Sequence, residues 1–389
     1  MKPHRLRELW QAGLIYSFLA ILLIPGPLDF FGWQGAFADA MLLPSLRFVG
    51  GFLFPTATWF QEISSDSRFL WLLLALLLPL SLLLGFRQFR SERVLAFIQI
   101  MLTYFLSFVL LNYGIDKVFK AQFYLPEPNI LFTPFGLLDR DILYWSTMGI
   151  SYEYNLFLGL AEVLAASLIL IRKTRVIGIL VAAFILMNVV AINFSFDISV
   201  KAFSSLLLLS SSLLLVPFGV SLQRYFIQNK AERMPKLPKI PVPWFSRRTF
   251  HIAKIALVAV VLGQAVYPFW KSGIYNDDFA ERPFLHGAYR VIDSSDPNLK
   301  MIFVHRDGYL IFQDENFRTN DYKLRINPAK NELSLIDYDG SETILEFEYD
   351  KVEGLLTFSN KDSDFFVKSE TVNWREMPAL QQLFHLSID

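Results

Sequence analysis

The chain contains no cysteine. That absence excludes disulfides, Cys-x-x-Cys redox relays, iron–sulfur clusters and thiolate metal sites. Histidine is scarce: His4, His251, His286, His305 and His385 all lie outside the apolar block from Val94 to Phe218. Haem held between core helices by paired histidines, or a histidine-ligated copper or iron there, is excluded in turn. Excess charge is missing too, since 36 basic residues balance 36 acidic ones. Nucleic acid, which demands a concentrated basic surface, is therefore not an expected partner. The sequence also offers no nucleophile–base set, phosphate loop or clustered metal-ligand spacing, so no catalytic residue and no metal site is assigned.

Apolar residues are abundant. They make up 53% of the 389 residues, with mean hydropathy +0.38, and several runs approach the ~20 residues that span a bilayer. Seven segments read as transmembrane helices: 11–31, 68–86, 94–116, 154–171, 176–195, 201–219 and 250–269. Basic clusters orient them by the positive-inside rule. Lys2, Arg5 and Arg7 precede the first span, Arg87, Arg90 and Arg93 follow the second, Arg172, Lys173 and Arg175 follow the fourth, and a basic, proline-rich linker separates the sixth from the seventh. All these clusters fall on one side, which places the N-terminus in the cytoplasm and the C-terminus outside. The stretch Met41–Phe60 is interrupted by Pro44, Arg47, Gly50-Gly51 and Pro55, and is expected to be interfacial or re-entrant. The first helix is expected to kink at Pro25-Gly26-Pro27.

Beyond about Lys271 the composition turns charged and aromatic. Alternating stretches at Lys300–His305, Tyr309–Gln313, Tyr322–Ile326, Glu332–Asp337, Thr343–Tyr349 and Leu355–Ser359 are separated by turn signals such as Asp339-Gly340-Ser341. The expected fold class is thus an α-helical membrane bundle of about seven transmembrane helices followed by an all-β small barrel or sandwich. The expected divisions are 1–93 (two helices and an outer loop), 94–219 (a four-helix core), 220–249 (cytoplasmic linker), 250–270 (seventh helix) and 271–389 (extracytoplasmic β-rich domain). His286, His305 and His385 are too widely spaced to imply a metal site, and Trp374, Phe365, Phe366 and Phe384 are expected in the core.

Glu162 is the most pointed feature of the membrane block. A carboxylate at the centre of an apolar helix costs roughly 3 kcal/mol to insert, so it marks a pathway, a binding site or a buried pair. From helical rise, Glu162 lies about 12 Å and Asn188 about 9 Å below the outer interface, and Asn112 also falls in the outer half. Asn112 and Asp116 share a helix face next to Lys117, and Asn193, Asp197 and Lys201 repeat the four-residue step. Two readings stand side by side. Glu162, Lys117 and Lys201 with the asparagines form a small-molecule or quinone pocket, or Glu162 bonds to Asn188 or Asn112 while Asp116 and Asp197 pair with Lys201 and Lys117 respectively to lock the bundle. The proline-stiffened segment Tyr124–Phe135 is a candidate lid over this layer.

The runs Tyr113-Gly114-Ile115-Asp116-Lys117, Tyr154 to Glu162, Asn188-Val189-Val190 and Asn193 to Lys201 resemble the DoxX/DoxD-like membrane family over about Val94 to Phe218. The resemblance implies a multi-pass protein of the bacterial inner membrane, with the lipid bilayer and an envelope or redox protein as partners. Some relatives in that family are subunits of a thiosulfate:quinone oxidoreductase, so a quinone cofactor is implied for a catalytic branch. Others assist cysteine redox, which a chain without cysteine cannot perform. The expected function is non-catalytic: binding a hydrophobic small molecule, lipid or membrane partner while displaying the β-domain. The alternative is a quinone-linked subunit of an oxidoreductase complex.

Overall fold

In the computed structural model, the described residues are 3–24, 65–87, 91–231, 233–238, 247–361 and 363–381, with isolated positions between 35 and 52. Pro25-Gly26-Pro27, most of Met41–Phe60, Phe384 and His385 lie outside them. In chain order the described α-helices are α1 (Pro3–Leu23), α2 (Arg68–Arg87), α3 (Glu92–Val118), α4 (Pro128–Leu131), α5 (Arg140–Gly149), α6 (Tyr152–Leu170), α7 (Arg175–Ser195), α8 (Lys201–Leu215), α9 (Gly219–Phe226) and α10 (Arg247–Ser272). The strands are β1 (Gly287–Ser294), β2 (Leu299–His305), β3 (Tyr309–Asp314), β4 (Thr319–Asn327), β5 (Glu332–Ile336), β6 (Glu342–Asp350), β7 (Leu355–Ser359) and β8 (Phe366–Val372).

Among the described residues, 7 helical segments are long and apolar enough to cross a membrane. They match the expected spans except at the first, where the helix begins with Pro3 and stops at Leu23. Proline is well placed in the first turn of a helix. At the other end, the residue before Pro25 is pushed out of the helical region. The expected 201–219 span continues past Pro217 as a 3₁₀ turn and then α9.

The chain forms two compact units, Met1–Gln122 with Leu156–Tyr275, and Phe123–Asn155 with Asn276–Asp389. The division differs from a 94–219 core: residues 123–155, which join two spans, group with the β-domain. In the first unit, small residues permit close packing. Ala165, Ala166, Ala182 and Ala202 are buried beside Leu102, Leu106 and Leu206, and Ser107 Oγ donates across to the Ala166 carbonyl at 2.9 Å. Helices in lipid associate through such packing because burial of apolar surface gives no drive there. A close backbone approach joins α3 to α6. A Cβ on Gly114 would stand 2.9 Å from the Gly159 carbonyl oxygen, and one on Gly159 would stand 2.6 Å from the Gly114 carbonyl oxygen.

In the second unit all eight strands pair with their sequence neighbours, antiparallel, and β1 pairs with β8 to close a barrel. The meander therefore resolves as a barrel, not a sandwich. Closure removes the unpaired edges that an open sheet would present. Irregular register at Val291/Asp293 and at Leu299/Met301 bends β1 and β2 where the barrel turns. One alternating set of side chains fills the interior, including Tyr289, Ile302, Leu310, Leu333, Phe347, Leu356 and Phe358, and the Tyr289 hydroxyl donates to the Leu285 carbonyl at 2.7 Å. The opposite face of β1–β3 is also covered. Ala288, Met301, Phe303 and Ile311 pack with Trp374 and with Leu125, Leu131 and Phe132 of the 123–155 segment. That double burial explains the unbroken apolar run Met301–Val304.

Replacing Gly159 with Val is expected to lower the thermal unfolding midpoint of the detergent-purified protein, reflecting about 1–3 kcal/mol of overpacking. Gly263→Ala, where nothing stands within 4 Å, is expected to leave it unchanged or slightly raised.

Candidate functional site

The Gly114–Gly159 approach sets up the polar centre of the first unit. Lys117 and Glu162 each lie three residues beyond one of these glycines, so each shares its helix face with the contact. Lys117 Nζ donates to Glu162 Oε1 at 3.0 Å and Oε2 at 2.8 Å. The two side chains are only 8% and 6% exposed. Lys117 Nζ also stands 5.7 Å from the Tyr113 ring centre. Removing two charges from water is costly, and bidentate geometry with close approach is what offsets it.

The other expected members do not join this pair. Asn112 Nδ2 donates to the Phe108 carbonyl of its own helix at 2.8 Å, a back-bond that satisfies the amide locally. Asn188 is exposed on α7, with its neighbour Met187, so neither asparagine bonds Glu162. Asp116 lies beside Lys117 in sequence, but the lysine ammonium is directed to Glu162.

Asn193, Asp197 and Lys201 do not form one helical stripe. The helix breaks between Ser195 and Lys201, with Asp197 at φ 56°. They still gather at the α7–α8 connection. Asn193 Nδ2 donates to Ser204 Oγ at 3.0 Å, and Lys201 Nζ meets Asp197 Oδ1 at 2.7 Å. Asp66, which sequence reasoning missed, accepts the Lys201 and Ala202 backbone N–H groups at 2.7 and 2.8 Å. A carboxylate on those otherwise unpaired donors caps α8 and suits the positive end of its dipole. The Ser65-Asp66-Ser67 run reads as a cap for α2, and nothing in sequence ties it to a helix 135 residues away.

A second polar centre lies within the barrel unit and was not foreseen. Glu127, between Pro126 and Pro128, is buried, and its Oε2 meets His286 Nε2 at 2.7 Å with both side chains 4% exposed. The Arg306 backbone N–H donates to the same oxygen at 3.3 Å. The Arg306 guanidinium forks onto Asp277 at 2.7 and 2.6 Å, Arg282 adds a bond at 3.0 Å, and the Tyr124 ring centre lies 4.6 Å from Arg306 Cζ. Burial pushes the Glu127 carboxyl up, but His286, His305 and the Arg306 N–H together hold it below the usual range. Burial likewise raises Asp277, and its two arginines outweigh that and lower it. His305 is lowered, chiefly by burial, against the pull of Glu127 and Asp307. These groups fasten the 123–155 segment to the barrel through charge-assisted hydrogen bonds.

No family model matches the chain, and no solved structure matches it. Among curated proteins it is similar to the uncharacterized protein YwoB of Bacillus subtilis (strain 168), 36% identical over 111 residues, which is 28% of this chain and 70% of that relative.

Two outcomes are expected. Changing Lys117 to Met or Glu162 to Gln alone leaves a buried charge without its partner and costs about 3–5 kcal/mol. The double change to apolar residues is expected to cost less than the sum, as measured by detergent unfolding in a double-mutant cycle. The second outcome concerns pH. Glu127, Asp277 and His305 all favour the deprotonated form in the folded unit, so acid weakens it. Stability from His305 is full above its unfolded value near ~6.5, and that from the carboxyls above ~4; each is lost as pH falls through the lowered folded value. Hydrogen exchange in β1 and β2 of the full-length protein is expected to accelerate in two stages on acidification, and Glu127→Gln to reduce the later one.

Proposed function

The chain belongs to the family of the Bacillus subtilis protein YwoB, and on that premise we propose that it is a non-catalytic multi-pass protein of the bacterial inner membrane. It binds a lipid, a small hydrophobic molecule or a membrane partner, and it displays its β-barrel outside the cytoplasm. The observation that carries the proposal is the Lys117–Glu162 pair. The two residues best suited to hold a quinone carbonyl are turned on each other, at the point where the helices touch. Their pairing supports a bundle lock over a redox pocket. The Gly114-x-x-Lys117 and Gly159-x-x-Glu162 elements that make the lock are the same ones that resemble the DoxX-like core.

Sidedness has its own support. A compact unit that takes residues 123–155 and 276–389 together supports a chain that emerges on one side after the third and the seventh spans. The basic clusters of the remaining connections assign that side as external.

Purification in mild detergent with mass spectrometry of co-extracted lipids, quinones and proteins tests the function. Bound lipid or a non-redox membrane protein is expected. Stoichiometric quinone together with a dehydrogenase, lost on Lys117→Met, would overturn the non-catalytic reading.

A further inference from the structure

An open cleft of about 310 Å³ lies against the outer face of β3 and β4, lined by Asn129 of α4 with His305, Tyr309, Ile311, Thr319, Asp321 and Tyr338. Strand register builds this cleft. Ile311 stands opposite Asp321 and Gln313 opposite Thr319, so these side chains and that of Tyr309 project from the same face. Gln313, buried on that face, donates to Thr133 Oγ1 at 3.3 Å and ties it to the 123–155 segment. Tyr338, from the β5–β6 turn, donates its hydroxyl to Asp321 Oδ2.

The walls are rich in acceptors and π-faces. They offer a carboxylate and two phenol rings, and no lysine or arginine lines them. Lys323, the next residue along this face of β4, is exposed. His305 Nδ1 accepts the Asp307 backbone N–H at 3.1 Å, which leaves the hydrogen of the neutral ring on Nε2. An anion would meet the Asp321 charge with no cation to hold it. A neutral polyol would leave that charge uncompensated. A cation gains from the carboxylate and both rings at once, and such attraction strengthens as the site sheds water.

We propose that this cleft binds an organic cation, an alkylammonium or guanidinium group, held by Asp321 and the rings of Tyr309 and Tyr338. Titration calorimetry on the full-length protein in detergent tests it with four probes: agmatine, the peptide acetyl-Gly-Arg-Gly-amide, glucose and inorganic phosphate. Agmatine is expected to bind saturably, at least ~10-fold more weakly in Asp321→Asn, and more weakly in Tyr338→Ala. The Tyr338→Ala variant, at an exposed turn, keeps the test open should the strand substitution fail to fold. A peptide affinity at least ~10-fold above that of agmatine assigns the cation to a protein side chain, and equal affinity assigns it to a free amine. Absence of saturable cation binding overturns the proposal. So does agmatine affinity unmoved by both variants, or glucose or phosphate binding as tightly as agmatine.

Discussion

The membrane unit depends on one close approach, where the backbones of α3 and α6 meet at Gly114 and Gly159. Each glycine is followed after three residues by one half of the Lys117–Glu162 pair. A single crossing point therefore fixes the separation, rotation and axial register of two helices together. Steric and electrostatic demands reinforce each other. Without the glycines the charges would be held apart, and without the charges the contact would rest on dispersion and the Ser107–Ala166 hydrogen bond, with little hydrophobic help in lipid. The polar groups at the α7–α8 connection work differently. Asp66 reaches a helix terminus and satisfies backbone donors, so it fixes where α8 begins and leaves helix rotation to packing.

The barrel meets the same problem of unpaired polar groups by closing its sheet. Once β1 pairs with β8, every strand has two neighbours, and the remaining exposure is the apolar outer face of β1–β3. The 123–155 segment covers it with Leu125, Leu131 and Phe132. Its only short helices, α4 and α5, could not stand alone. The Glu127–His286 contact and the Arg306 network supply directionality that an apolar patch lacks.

Much of this architecture was legible from residues. The spans stood out because each run of Leu, Ile, Phe and Val matches the bilayer, and β2 to β7 stood out as strand-length stretches rich in apolar residues between turn signals. The strands that close the barrel were harder to see. β8 places Ser369 in a fully buried position, where its hydroxyl is satisfied by the Leu356 carbonyl at 2.9 Å, so the apolar alternation lapses. Glu162 and Lys117 were legible as singular residues, and their pairing was not, since a separation of 45 residues leaves helix rotation open. Asn188 misled for the same reason: periodicity assigns a face only when a helix has a clear apolar moment, and a lipid-facing helix is apolar all round. Glu127 and His286, 159 residues apart, carry no local signal that joins them.

The mixed ancestry of the barrel unit has a consequence for its birth on the ribosome. Residues 123–155 are synthesised long before His286, which immediately precedes β1, so Glu127 and the apolar side chains around it must wait for a partner not yet made. The barrel itself winds up from adjacent hairpins in order of appearance, which is kinetically easy. Docking of the early segment is the long-range event. The last strand to emerge thus closes the barrel, and the unit stays open until β8 has been made.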